Sequence, residues 1–106
     1  MATQKVKLRP VVQWFAEQME RKLRENDHKG GWDADNKYSL MNRIGQELRE
    51  LRAVARKYAE LHFGDTTREQ LAERGVREAA DVANMAMMVA DHFRNGGPSK
   101  DQGKTL

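Results

Sequence analysis

The stretch VREAADVANMAMMVADHF, Val76 to Phe93, decides the fold. Its nine residues from Val82 to Ala90 carry no charge and are mostly Ala, Val and Met. That run is far too short to span a membrane, so it reads as a core helix, ended by Asn95-Gly96-Gly97-Pro98. At its head stand Glu78 and Asp81, three residues apart and therefore on one helical face. Two acids at the mouth of an apolar helix need solvent or a cation. They are either one side of a cation site or the wet edge of an ordinary core helix.

Upstream, Thr66-Thr67-Arg68-Glu69 reads as a capping box, Thr66 with Glu69. It opens a short amphipathic piece, Thr67 to Arg74, with Leu71 inward. Gly75 costs about 1 kcal/mol relative to alanine in a helix and is a place for a bend or an interruption. Further back, Leu40, Ile44, Leu48, Leu51, Ala55 and Tyr58 recur at three and four, the spacing of an amphipathic helix. That helix runs from an N-cap near Ser39 to about His62. Glu47 and Glu50 border its stripe, again three apart. Before it, Val11, Phe15, Met19 and Leu23, widened by Trp14, define a helix from Pro10 to about Asn26.

The chain is therefore expected to be all-α, a bundle of about four helices, with no strand-like alternation and no internal repeat. Residues 10–95 form one domain, residues 1–9 a flexible basic lead and residues 96–106 a flexible tail. At 106 residues the core is modest, and oligomerisation is a common way to complete it. The apolar band at Met85, Met87, Met88 and Val89 covers more than one helix face. It suits a subunit contact, where methionine adapts well, or a monomer core.

Charged residues make up 33% of the chain and the mean hydropathy is -0.89, so the surface is polar. Seven aromatics (two Trp, two Tyr, three Phe) are too many for a disordered chain. No cysteine is present, which excludes disulfides, thiol chemistry and thiolate metal sites. A metal would need oxygen or histidine ligands, and carboxylates favour Mg²⁺ or Mn²⁺. No secretion signal is legible at the N-terminus, so a cytoplasmic location is expected. The net charge of +3 suits an anionic partner only weakly.

The segment from Asp27 to Lys37 is a polar loop holding Trp32, which either plugs the core or offers a flat ring to a ligand. If the helices of Glu47/Glu50 and Glu78/Asp81 pack antiparallel, both pairs can face one cleft. Four converging carboxylates would repel unless protonated or neutralised by cations. Asn84 continues the Glu78–Asp81 side. Its amide suits water or phosphate positioning, or an interhelical hydrogen bond.

QELRE (Gln46 to Glu50) followed by EAAD (Glu78 to Asp81) resembles the MazG-like superfamily of all-α nucleoside triphosphate pyrophosphatases. That family shows E-E-x-x-E on one helix and E-x-x-D on the next, and this chain departs from it at Gln46. FAEQMERKLRENDHKGGW (Phe15 to Trp32) and REAADVANMAMMVAD (Arg77 to Asp91) are similar to a small, phage-type branch. The resemblance implies cleavage of a (deoxy)nucleoside triphosphate between the α- and β-phosphates. It implies Mg²⁺ or Mn²⁺ held by Glu47, Glu50, Glu78 and Asp81, one of which also accepts a proton. Lys29 would contact phosphate, with Arg77 and Lys22 behind it, and Asp27, His28 and Trp32 would line the nucleoside side. A homodimer or homotetramer is implied, and in phages a role in trimming purine deoxynucleotides from the pool. The bland reading of His28 and Lys29 is two exposed loop residues, and His62 and His92 read as helix-end residues without a role. A helical nucleic-acid-binding or non-catalytic regulatory module is the competing function, weakened because basic residues alternate with acids.

Overall fold

In a computed structural model of the protein, residues 5–32, 36–62 and 64–96 are described. Residues 1–4 of the expected lead and 97–106 of the expected tail lie outside them. Residues 5–9 are non-helical and exposed. Three long helices follow: α1 (Pro10–Glu25), α2 (Lys37–Glu60) and α3 (Thr66–Arg94). A single 3-10 turn, Asp27–Lys29, follows α1. No strand occurs among the described residues, and none of their helices is long and apolar enough to cross a membrane.

The all-α class holds, but there are three helices where about four were expected. The short piece and the apolar helix are one element, because α3 runs unbroken through Gly75. A glycine costs a helix about 1 kcal/mol, and here packing offsets it. Gly75 lies against Val54 of α2, where a Cβ would sit 3.8 Å from the Val54 Cγ1. Glu78 and Asp81 consequently lie in mid-helix rather than at a helix mouth. Caps also move. Asn36, not Ser39, caps α2, its Oδ1 accepting from the Ser39 amide at 2.9 Å. The expected Thr66–Glu69 box is replaced by Asp65 at the N-cap of α3. Its carboxylate turns back to accept from the His62 amide at 3.2 Å.

Five residues, Leu61 to Asp65, join α2 to α3, and a connection this short makes them antiparallel. Arg68 closes the hairpin. It donates to the carbonyls of Tyr58 (3.1 Å) and Leu61 (2.9 Å) at the C-terminal end of α2, and covers the Tyr58 ring at 4.0 Å. The inward seam of α2 is Leu40, Ile44, Glu47, Leu51, Val54 and Tyr58, all buried or half-buried and spaced 4, 3, 4, 3, 4. The stripe read through Leu48 and Ala55 is displaced, since both are exposed. Glu47 thus occupies a seam position, not the border.

Helix α1 packs on α3 and buries no residue completely. Among the described residues the buried apolar core is Leu40, Val54 and Ala80, with Asn84 and His92 as buried polar members. Such a core is small for the chain. The radius of gyration is 17.0 Å, against about 13 Å for a compact domain of this length.

Candidate metal and phosphate site

The hairpin register that sets Gly75 beside Val54 brings Glu78 one turn further along, to the level of Glu47 and Glu50. One carboxylate oxygen from each of the three lies within 4.8 Å of the others. Neighbouring oxygens on a single octahedral Mg²⁺ are about 3 Å apart, so the three carboxylates would draw together to share one ion. The Glu78 carboxylate is 14% exposed; its Oε2 is 3.8 Å from the Arg74 Nε, while its buried Oε1 has no hydrogen-bond partner. An unpaired buried carboxylate oxygen is costly, and a hard cation would remove the cost.

Electrostatics follow from this packing. Burial first, and then the charges of Glu50 and Asp81, push the Glu78 carboxyl above the usual range. Burial first, and then Glu50, Asp81 and Glu78, do the same to Glu47. Asp81 is also raised by burial, opposed by Lys22. The donor set of hard oxygens, one of them orphaned, fits a divalent ion of the Mg²⁺ or Mn²⁺ type.

Asp81 stands apart from this trio. One helical step from Glu78 it turns toward α1, where the Lys22 Nζ is 3.6 Å from its Oδ1. Glu78 faces α2 and Asp81 faces α1, so the two acids straddle α3. Asp81 is the wall shared with a cleft of about 460 Å³ between α1, the following turn and α3, a size usual for small-ligand sites. Three cations line it, Lys22, Lys29 and Arg43. Trp32, Asn84, Met85 and Met88 complete its apolar and amide surface, and Asp27 lies at its side.

Several expected site residues are thus together: Lys22, Asp27, Lys29, Trp32, Asp81 and Asn84. Others are not. His28 lies outside the lining. Arg77, expected behind the phosphate, spends its guanidinium on Glu25 of α1, with hydrogen bonds of 3.1 and 3.2 Å. Asn84 makes the interhelical bond that was one of its two readings, its Nδ2 donating to the Met19 carbonyl at 3.0 Å. Met85 and Met88 of the expected subunit band face the cleft.

Arg43 was overlooked, although its i,i+4 spacing to Glu47 was visible. His92 and Asp91 were overlooked as well. Far from an idle helix end, His92 is 3% exposed and its Nε2 lies 2.9 Å from the Trp32 carbonyl. The hydrogen bond from Trp32, then that from Arg94, hold the Asp91 carboxyl below the usual range. No sequence signal links residues some sixty apart.

The second large concavity has the opposite chemistry. Trp14 and Phe15 of α1, Leu51, Val54 and Tyr58 of α2, and Leu71 and Val76 of α3 line an open groove of about 440 Å³. Trp14 is 45% exposed there.

Compared with known protein families, curated proteins and solved structures, the chain matches none.

Proposed function

We propose that this protein is a metal-dependent (deoxy)nucleoside triphosphate pyrophosphohydrolase, releasing a nucleoside monophosphate and pyrophosphate. The observation that carries the reading is the convergence of Glu47, Glu50 and Glu78, one oxygen of Glu78 unpartnered, beside a cleft lined by three cations and a tryptophan. The resemblance to MazG-like enzymes supports it from the sequence side.

Glu47, Glu50 and Glu78 would hold Mg²⁺ or Mn²⁺, with Asp81 as the fourth acid on the cleft side. Bound there, the metal supplies charge neutralisation for the triphosphate and a more acidic water. Lys22, Lys29 and Arg43 offer the anion its countercharge, and the Arg43 and Lys29 donors bring phosphate oxygens to the cleft wall. Trp32 gives the planar base an apolar face. Asn84, pinned by Met19, keeps α1 and α3 at a fixed separation across the cleft floor.

The protein acts in this reading as a homodimer or homotetramer. A core of three buried apolar residues among those described, and an open apolar groove, support that assembly. The nucleic-acid-binding alternative is weakened further by pairing of basic residues with acids: Arg24 with Glu20 and Arg77 with Glu25.

The deciding assay incubates purified protein with each dNTP and NTP, with Mg²⁺ or Mn²⁺, and follows pyrophosphate. Release is expected, with purine deoxynucleotides the first to try. Absence of pyrophosphate with every nucleotide and both metals would overturn the proposal.

A further inference from the structure

Trp32 is tied at both ends to the last turn of α3. Its indole Nε1–H donates to the Asp91 Oδ2 at 3.1 Å. Its own carbonyl lies 2.9 Å from the His92 Nε2. A carbonyl oxygen only accepts, so that nitrogen carries the proton. The other ring nitrogen, Nδ1, is buried and has no partner, so the imidazole is committed to this one bond.

Asp91 is in turn held in place. Arg94 Nε donates to its Oδ1 at 2.8 Å and Asn95 Nδ2 to the same oxygen at 3.2 Å. Oδ2 is left to the indole. The residues before Trp32 arrive through Gly30, whose φ of +88° suits only glycine. Loop and helix end together fix one half-buried ring on the wall of the cleft. A tryptophan needed only as a plug would be buried in the core; this one keeps a surface open beside Lys29.

We propose that Asp91 and His92 are positioning residues of the cleft, holding the Trp32 ring as a fixed flat wall against which a planar ligand group stacks. The proposal rests on the nucleotide reading, the base being that planar group. Stacking on a fixed ring depends on the orientation of the ring more than on its identity. Loss of the clasp therefore weakens binding and leaves the phosphate chemistry alone.

The test uses a Trp14→Phe parent, in which Trp32 is the sole indole. Each dNTP is titrated with Mg²⁺ while Trp32 emission and pyrophosphate release are followed. Asp91→Leu keeps the bulk and removes the acceptor; His92→Leu removes the donor to the loop; His92→Gln restores an N–H. Asp91→Leu and His92→Leu are expected to raise KM about tenfold, the scale of one lost base stack, with kcat within about twofold. Trp32 emission should shift to the red in both, and His92→Gln should recover emission and KM together. A red shift with unchanged KM would overturn the positioning role, as would equal losses in kcat and no rescue by glutamine. Quenching of the parent by a dNTP without pyrophosphate release would break the hydrolase reading; the clasp then stands if Asp91→Leu and His92→Leu each weaken that quenching about tenfold, and falls if they do not. A parent showing neither would break both.

Discussion

The cleft beside Asp81 and the groove beneath Trp14 are built from the same three helices, yet they have opposite chemistry. The cleft gathers Lys22, Arg43 and Asp81, with the trio of glutamates behind it. The groove gathers Trp14, Leu51, Tyr58 and Leu71 and has no carboxylate in its lining. Register produces the contrast. Along the α2–α3 seam the apolar pair Val54–Gly75 gives way within two turns to Glu47, Glu50 and Glu78. One end of the hairpin was assembled for burial, and the other keeps charge where burial makes it costly. The same seam position that holds Val54 at one level holds Glu47 at another. A charge on a core seam is retained at a cost in stability, which is why we assign chemistry to one concavity and association to the other.

The largest expected effect breaks the cleft. Glu78→Gln removes the charge but not the volume, and should reduce turnover by about 10²–10³-fold or more, as loss of a transition-state contact does. Asp81→Asn should do likewise, although it faces α1 rather than the trio. Circular dichroism should show both variants as helical as the wild type. Near-normal rates in both would mean that the acids serve only the wet side of the hairpin.

The second effect breaks the groove. Replacing Trp14 with alanine, or Leu51 with glutamate, should weaken self-association by ~30-fold or more, the factor corresponding to about 2 kcal/mol at an interface anchor. Sedimentation velocity over a concentration series reads this directly. A wild-type protein that remains monomeric at high micromolar concentration would remove the groove from the comparison. So would variants that dissociate no more easily than wild type.

The helical segments, though not their number, were legible because apolar residues recur at three and four, and Leu40, Leu51 and Phe15 are buried or half-buried as expected. The seam of α2 was misdrawn by one residue because Val54 and Ala55 are both small and apolar; only the partner Gly75 decides between them. Glycine itself misled, since its intrinsic cost argued for a break that packing on Val54 removes. In the site, the approach of Glu47 and Glu50 to Glu78 was legible from two i,i+3 pairs on antiparallel helices. The separation of Asp81 was not, because it depends on where Lys22 of α1 arrives. Arg77 looked equally available for phosphate, and its commitment to Glu25 is a tertiary fact. The Trp32–Asp91–His92 clasp joins residues about sixty apart by hydrogen bonds to a loop, where periodicity has nothing to say.

The smallest effect sharpens the contrast through pH. Glu47 and Glu78 have raised carboxyl values because they are buried, and because each feels the other acids more than Arg43 or Arg74. In the unfolded chain they titrate near ~4.3. Between that value and their higher folded values, the unfolded chain releases protons that the folded chain keeps. Rising pH therefore favours unfolding across that window. With metal chelated, lowering the pH through the upper part of that window should raise Tm. Glu25 and Asp91 have lowered values, so their contribution is lost only on further acidification and does not oppose the trend in this range. Glu78→Gln should raise Tm at pH 8 and flatten the profile. Mg²⁺ at pH 8 should stabilise the wild type and not the variant. Trp14→Ala, by contrast, should leave the slope of the profile unchanged, because no carboxylate lines the groove. A wild-type Tm that climbs with pH through the same window, or a slope unaltered by Glu78→Gln, would mean that the acids at this end of the hairpin are not under electrostatic load. The distinction between the two concavities would then lose its physical basis.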